Sequence, residues 1–280
     1  MLPALVALLL GNPATVTAAC LSAAQVAQMV AAYQAGTPAL NPPAMSVADA
    51  ECSRTRFNHA LQAYLGEPVG YKAGLTNAAV QQRFRYNSPV RGTLYAPMLL
   101  QSGATVPAAF GARGVFEADL LVRVSKAAIN RATTPAQVLQ AIDQVIPFIE
   151  LPDLLVTKPT ELDGPAIMAI NVGARLGVMG APIPVSGDTT LADSLRDMQV
   201  IVRGNGAELD RGRGSDVLGH PLNAVIWLAG DLAGNGLALR PGDLVSLGSF
   251  SRLLPPAPGL AVAIEYLGLP GNPRVEINFE

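Results

Sequence analysis

The spacing of apolar positions changes character near residue 68. From 21 to 35, LSAAQVAQMVAAYQA repeats apolar side chains at helical spacing behind Ser22, an N-cap candidate, and Gly36 ends the run. After the turn-rich PALNPPAMS, a second helical stretch, VADAECSRTRFNHALQAYLG, starts behind Ser46 and closes at Gly66. His59 within it reads as structural. From Val69 onward the period shortens. PVGYKAGLT, GTLYAPML, GVFEADLLVRV, AINVGARLGVMG, MQVIVRGNGAELDRG, DLVSLGSF, LAVAIEYLG and RVEINF are strand-like pieces between turn residues. Two helices are predicted among them: TPAQVLQAIDQVI, capped by Thr134 with Pro135 in its first turn, and HPLNAVIWLAGDLAGNG, ending at Gly234 or Gly236. Asn205-Gly206 between alternating runs predicts a hairpin, and no helix follows its glycines, which argues against a dinucleotide-binding loop. The pattern predicts an α+β fold, with a helical segment over 20–68 and a β-rich core over 69–280.

Composition narrows the function. Among 280 residues, 50% are hydrophobic and 14% charged, and the formal net charge is -2. There is no basic field to hold nucleic acid or an anionic lipid surface. The first segment, MLPALVALLLGNPATVTAAC, runs apolar from Leu2 to Leu10, then shows helix breakers and small residues. This is the layout of an export signal over 1–19, too short to span a membrane, although no basic residue follows Met1. It predicts a periplasmic or secreted protein with no membrane attachment after cleavage; a cytoplasmic chain is the alternative. Cys20 and Cys52 would survive cleavage near Ala19, and a disulfide between them would suit an oxidising compartment. Two free buried thiols are the other reading.

The strand GVFEADLLVRV carries two carboxylates. Successive side chains of a strand face opposite ways, so Glu117, Asp119 and Leu121 share one face, and Phe116, Ala118, Leu120 and Val122 the other. Neighbouring like charges raise one another's pKa unless water or a cation relieves them. One helix later, Glu150 sits in the apolar run IPFIELPD, where a lone carboxylate is costly. Strands so connected can lie side by side and bring three acids together. Carboxylates without histidine or cysteine form an all-oxygen site suited to Mg²⁺, with Mn²⁺ or Ca²⁺ possible. The alternatives are a solvent-facing polar strand, or a structural Glu150 paired with a buried lysine or arginine.

Taken in order, GYKAGLTNAAVQQRF, PVRGTLYAPM, FEADLLVRV, PFIELPD, LGHPLNAVIWLAGDLA and LRPGDLVSLGSFSR resemble the hydratase and decarboxylase branch of the fumarylacetoacetate hydrolase superfamily. The resemblance covers about residues 46 to 280. It implies a mixed β-roll core, a divalent metal usually taken as Mg²⁺, a small 2-oxo acid or dienoate substrate, and a homo-oligomer. It assigns Glu117, Asp119 and Glu150 as metal ligands, with Asp at 119 where Glu is common. It assigns Lys72 as the active-site lysine that moves a proton, and Ser249 as a substrate hydrogen-bonding residue whose other reading is an ordinary turn serine. Arg252 would suit the far carboxylate of a diacid. Two departures stand out: Val90 and Ile170 occupy positions where relatives often have acids. His220, at the start of a helix, is explained by capping.

The expected function is a metal-dependent hydro-lyase converting a 2-hydroxy-2,4-dienoate to a 4-hydroxy-2-oxo acid. Decarboxylation of a 2-oxo-3-enedioate or hydrolysis of an acylpyruvate would use the same site. An exported, non-catalytic 2-oxo-acid-binding protein is the reading from another class, motivated by Val90, Ile170 and the signal-like start.

Overall fold

The structure is a computed structural model that describes residues 20–185 and 190–280. The apolar segment 1–19, read as an export signal, lies outside the described residues. Helices α1 (Ala23–Ala35) and α2 (Val47–Leu65) come first. They are followed by β1 (Pro68–Gly74), α3 (Ala78–Arg83), β2 (Val90–Tyr95), β3 (Leu99–Gln101), β4 (Ala104–Val106) and β5 (Glu117–Val124). The middle of the chain forms α4 (Pro135–Leu139), β6 (Ile142–Leu151), α5 (Gly164–Ala169), β7 (Leu176–Met179), β8 (Ile183–Pro184) and α6 (Thr190–Asp197). The remainder is β9 (Gln199–Gly204), β10 (Ala207–Arg213), α7 (Leu222–Gly234), β11 (Leu244–Ser246), β12 (Ala261–Leu267) and β13 (Arg274–Phe279).

Two curled sheets form the α+β architecture. One runs β2-β1-β11-β5-β6-β7-β3, with β8 also on β6; the other runs β10-β9-β12-β13-β4. Both are mixed, since β1 pairs β11, β3 pairs β7 and β13 pairs β4 in parallel, while the other ladders are antiparallel. The main core lies between the sheets, where Ala118, Leu120 and Val122 of β5 meet Val200, Val262, Ile264 and Ile277 of the second sheet. Leu121 joins Leu94, Ile146 and Phe148 in a separate cluster on the opposite side of β5. The strand alternation therefore assigns Glu117 and Asp119 to the face away from the main core. That face is buried too, so solvent does not relieve the two charges.

Helices α1 and α2 follow their caps. Ser22 and Gln25 form a capping box, Ser46 caps α2 through the Asp49 amide, and Gly36, at φ 62°, ends α1 in the left-handed region that favours glycine. α2 packs against β2 through a polar ladder. Arg54 Nη1 donates to the Arg91 carbonyl at 2.9 Å, Asn58 Nδ2 to Thr93 Oγ1 at 2.9 Å, and Tyr95 OH to the Asn58 carbonyl at 3.1 Å. Arg91 itself pairs with Asp231 on α7 and with Glu51 on α2. Cys20 and Cys52 are joined in a disulfide, with Cα atoms 5.6 Å apart, tying the start of α1 to α2.

One helical expectation is corrected. The stretch from Thr134 to Ile146 is helical only over α4, and Ile142 onward is strand β6. Its apolar residues satisfy either period; β-branched Ile142, Val145 and Ile146 are recruited as strand because β5 offers an open ladder, with Leu121 paired to Ile146 and Val122 to Val145. Short helices α3, α5 and α6 add to those the apolar spacing predicts. At Asn205-Gly206 the hairpin forms with φ of 49° and 84°, as a type I′ turn requires.

Candidate active site

Register brings the first two acids together: Glu117 on β5 lies directly opposite Glu150 on β6. Across this register pair the Glu117 carboxyl feels the Glu150 charge. Both are buried, at 8% and 3% exposure. Burial first, and the Glu150 charge second, push the Glu117 carboxyl well above the usual carboxylate range.

Lys72 supplies the positive partner. Extending from β1, its ammonium donates to Glu150 Oε1 and, at 3.1 Å, to the Val172 carbonyl. At 3% exposure it is as buried as the acid it meets. Gly92 on β2 lies across from Lys72, and a Cβ there would come within 2.8 Å of both Lys72 Cγ and the Asn171 carbonyl oxygen. Glycine is thus required for the lysine stem to pass.

The carbonyl that receives Lys72 belongs to a strained segment. Asn171, Val172 and Gly173 have φ of 56°, 54° and 67°. For β-branched Val172 this is a costly conformation, sustained only where surrounding contacts impose it. Asn171 imposes it here. It is fully buried, and its amide accepts from the Thr93 N–H at 2.8 Å and donates to the Thr93 carbonyl at 3.0 Å.

Asp119 is fully buried and faces other partners. Its Oδ1 accepts from the amides of Leu120 at 2.6 Å, Leu247 at 3.1 Å and Gly248 at 3.0 Å, and its Oδ2 accepts from the Ser246 hydroxyl. Burial and the Glu150 charge push its carboxyl up to about 7, against the opposing effect of the Ser246 hydrogen bond. Tyr266 of the second sheet donates to the Asp119 carbonyl and accepts from the Phe148 amide at 3.3 Å, pinning β5 and β6 where the acids emerge.

The remaining residues singled out by resemblance lie in the turn after β11. Ser249 is buried, and its hydroxyl donates to the Ser251 carbonyl at 2.6 Å and accepts from the Ser251 amide at 3.1 Å, closing its own turn. Ser251 Oγ accepts from the Ala118 amide at 2.9 Å, so this turn is fastened beside the acidic strand. Arg252 is a surface residue, 73% exposed, paired with Asp210 at 3.3 Å. It borders a cleft of about 390 Å³ lined also by Asn77, Arg211 and Asp216. His220 caps α7, its Nδ1 accepting from the Leu222 amide at 3.1 Å. Val90 and Ile170 are buried apolar residues, at 1% and 2% exposure.

Among the described residues, no three His, Cys, Asp or Glu side chains converge closely enough to surround one cation. The oxygen donors of Glu117 and Glu150 do suit a hard cation, being paired, buried and short of positive charge beyond Lys72. Ser246, Asn171 and Tyr266 escaped sequence reading because each is one polar residue in an apolar or turn-rich run, and such residues are more often solvated or locally bonded.

The chain is 31% identical over 206 residues to a 2-oxo-hept-4-ene-1,7-dioate hydratase of Escherichia coli, covering 70% of this chain and 74% of the relative. It is 30% identical over 202 residues to a TodF product hydratase of Pseudomonas putida, covering 72% and 73%. No protein-family model matches. Among solved structures, the 4-oxalocrotonate decarboxylase of Pseudomonas putida G7, complexed with magnesium and adipate, superposes with a TM-score of 0.80 at 25% identity, over 94% of this chain and 100% of that one. A fumarylpyruvate hydrolase of Pseudomonas aeruginosa shares the fold at a TM-score of 0.56 and 16% identity. The chain belongs to the hydratase and decarboxylase family of the fumarylacetoacetate hydrolase superfamily.

Proposed function

We propose that this protein is a divalent-metal-dependent hydro-lyase that adds water to a 2-hydroxy-2,4-dienoate and releases a 4-hydroxy-2-oxo acid. The observation that carries this reading is the buried Lys72 ammonium, held between Glu150 and the Val172 carbonyl beside the buried Glu117 carboxyl. Its relatives named as hydratases support it.

Glu117 and Glu150 would hold the cation, proposed as Mg²⁺ with Mn²⁺ as the alternative. Bound there, it would supply positive charge to the oxo and carboxylate oxygens of the substrate. Lys72 moves protons: its ammonium gives one to the far end of the diene and, as the amine so formed, takes one from the 2-hydroxyl, leaving a 2-oxo-3-enoate and the ammonium restored. The oxygen of water then bonds to C4 while a proton reaches C3, completing the addition. Burial of Lys72 and Glu150 keeps bulk water from competing for these protons.

Loss of dienoate absorbance in the presence of Mg²⁺ tests the proposal. Absence of turnover with both short and diacid dienoates would remove it. Product analysis separates hydration from decarboxylation, the reading favoured by the superposition on a decarboxylase. Binding of pyruvate or oxalate without any product would instead favour the non-catalytic reading that Val90 and Ile170 motivate. We also propose export and assembly into a homo-oligomer; the Cys20–Cys52 disulfide supports the first, since such bonds persist in oxidising compartments. Mass spectrometry of the protein from its own host reads the mature amino terminus, and light scattering reads the assembly.

A further inference from the structure

Asp119 occupies a position from which a third carboxylate would be expected to reach the cation, yet its oxygens are already engaged. Three backbone amides converge on Oδ1 and the Ser246 hydroxyl donates to Oδ2. Aspartate is one methylene shorter than glutamate, which keeps the carboxylate close to its own strand and within reach of β11. The β11 exit is shaped to receive it. Ser246 pairs with Leu121, two residues along from Asp119, and presents a hydroxyl from a strand whose neighbours Val245 and Leu247 are apolar. Gly248 has a φ of 97°, and a Cβ there would sit 1.9 Å from Thr76 Oγ1, so only glycine can bring its amide to this place. Tyr266 holds the Asp119 main chain as well. Asp119 is thus fixed at both ends of the residue by groups that are themselves fixed.

We propose that Ser246 and this amide nest hold Asp119 out of the cation's coordination shell, leaving Glu117 and Glu150 as its carboxylate ligands among the described residues, with Asp119 a positioning residue that fastens the β11 exit to β5. The inference rests on the metal-dependent reading above. Its chemical consequence is a site of lower charge than three acids would give. Such a site suits a cation that retains several waters and accepts substrate oxygens, as Mg²⁺ does with one or two carboxylates.

The test is a titration of Mn²⁺ into the full-length chain, followed by the paramagnetic resonance signal of the free ion, with melting in chelator measured on the same samples. The parent should bind Mn²⁺, and Glu150→Gln should weaken that binding by about 100-fold or more, while Asp119→Asn stays within about tenfold of the parent. Asp119→Asn should instead lower the melting temperature in chelator, because a neutral amide oxygen accepts from the three backbone amides more weakly than a carboxylate does. Ser246→Ala supplies a second readout that does not depend on Asp119→Asn folding: freeing Oδ2 should tighten Mn²⁺ binding. Equal losses in Asp119→Asn and Glu150→Gln, or unchanged or weaker binding in Ser246→Ala, would overturn the proposal. A parent that takes up no Mn²⁺ removes the metal-dependent reading itself, and this inference with it.

Discussion

Lys72 and Glu150 meet although three strand steps separate β1 from β6 in the sheet order. A flat sheet would hold those strands about 14 Å apart, so the contact depends on the curl of the sheet around its buried polar face. The pair answers the problem posed by two acids on one strand: the relief is a lysine from elsewhere in the chain rather than water.

Removing one member of this pair should be costly. Glu150→Gln is expected to strand the Lys72 ammonium and destabilise the metal-free protein by on the order of 3 kcal/mol, in addition to abolishing turnover. Lys72→Met should also abolish turnover, and the double variant should be less destabilised than the sum of the singles. Chemical denaturation in chelator checks this; additive losses would show that the two side chains do not interact.

Stabilisation by Mg²⁺ should grow with pH. Glu117 and Asp119 have carboxyls raised by burial, Asp119 to about 7. A raised acid contributes stability that is full below its unfolded pKa, near 3.9, and is lost as pH rises through the folded value. In chelator the Asp119 contribution therefore declines between about pH 4 and 7, and that of Glu117 is lost as pH rises through its own raised value. A cation held by Glu117 and Glu150 competes with the proton on Glu117, so the gain in melting temperature on adding Mg²⁺ should be small at pH 5 and larger at pH 8. Comparing the gain rather than the melting temperature removes the opposing titration of His220, whose pKa burial lowers. A gain independent of pH would contradict the placement of the cation at Glu117 and Glu150.

Asn171 should matter through Val172. Asn171→Ala removes two buried hydrogen bonds to the Thr93 backbone and leaves alanine at a positive φ, an expected loss of about 2 kcal/mol or more. Asn171→Gly tolerates the φ and should be the less destabilised of the two. Both should lower kcat more than they raise KM, since the Val172 carbonyl orients Lys72. Steady-state kinetics together with melting curves test the pair; full activity in Asn171→Ala would separate the strained segment from catalysis.

The disulfide closes a loop with a sequence separation of 32. Its loss in Cys52→Ser should cost about 3 kcal/mol if the unfolded chain is the main beneficiary of its removal. Activity in the folded fraction should persist, because the polar ladder from Arg54 and Asn58 still seats α2 on β2. Melting under reducing conditions provides the matching measurement on the parent.

Much of the fold was legible in local chemistry. Ser22, Gly36, Ser46 and Asn205-Gly206 act within a few residues of themselves, so caps and hairpin could be read from the chain. The alternation along β5 likewise assigned Glu117 and Asp119 to one face, and the order of motifs identified the family. What the sequence could not determine depended on partners distant along the chain. Residues 142–146 suit a helix or a strand, and the open ladder of β5 decided the matter. Asp119 and Glu117 look equivalent in GVFEAD, but register sets Glu117 against Glu150, whereas the amides of Leu247 and Gly248 and the hydroxyl of Ser246 claim Asp119. Lys72 lies 78 residues from Glu150, and only the curled sheet joins them. Hydrophobic periodicity records which side of an element is buried; it carries no information on which buried charge meets which, because that is settled by strand order and register.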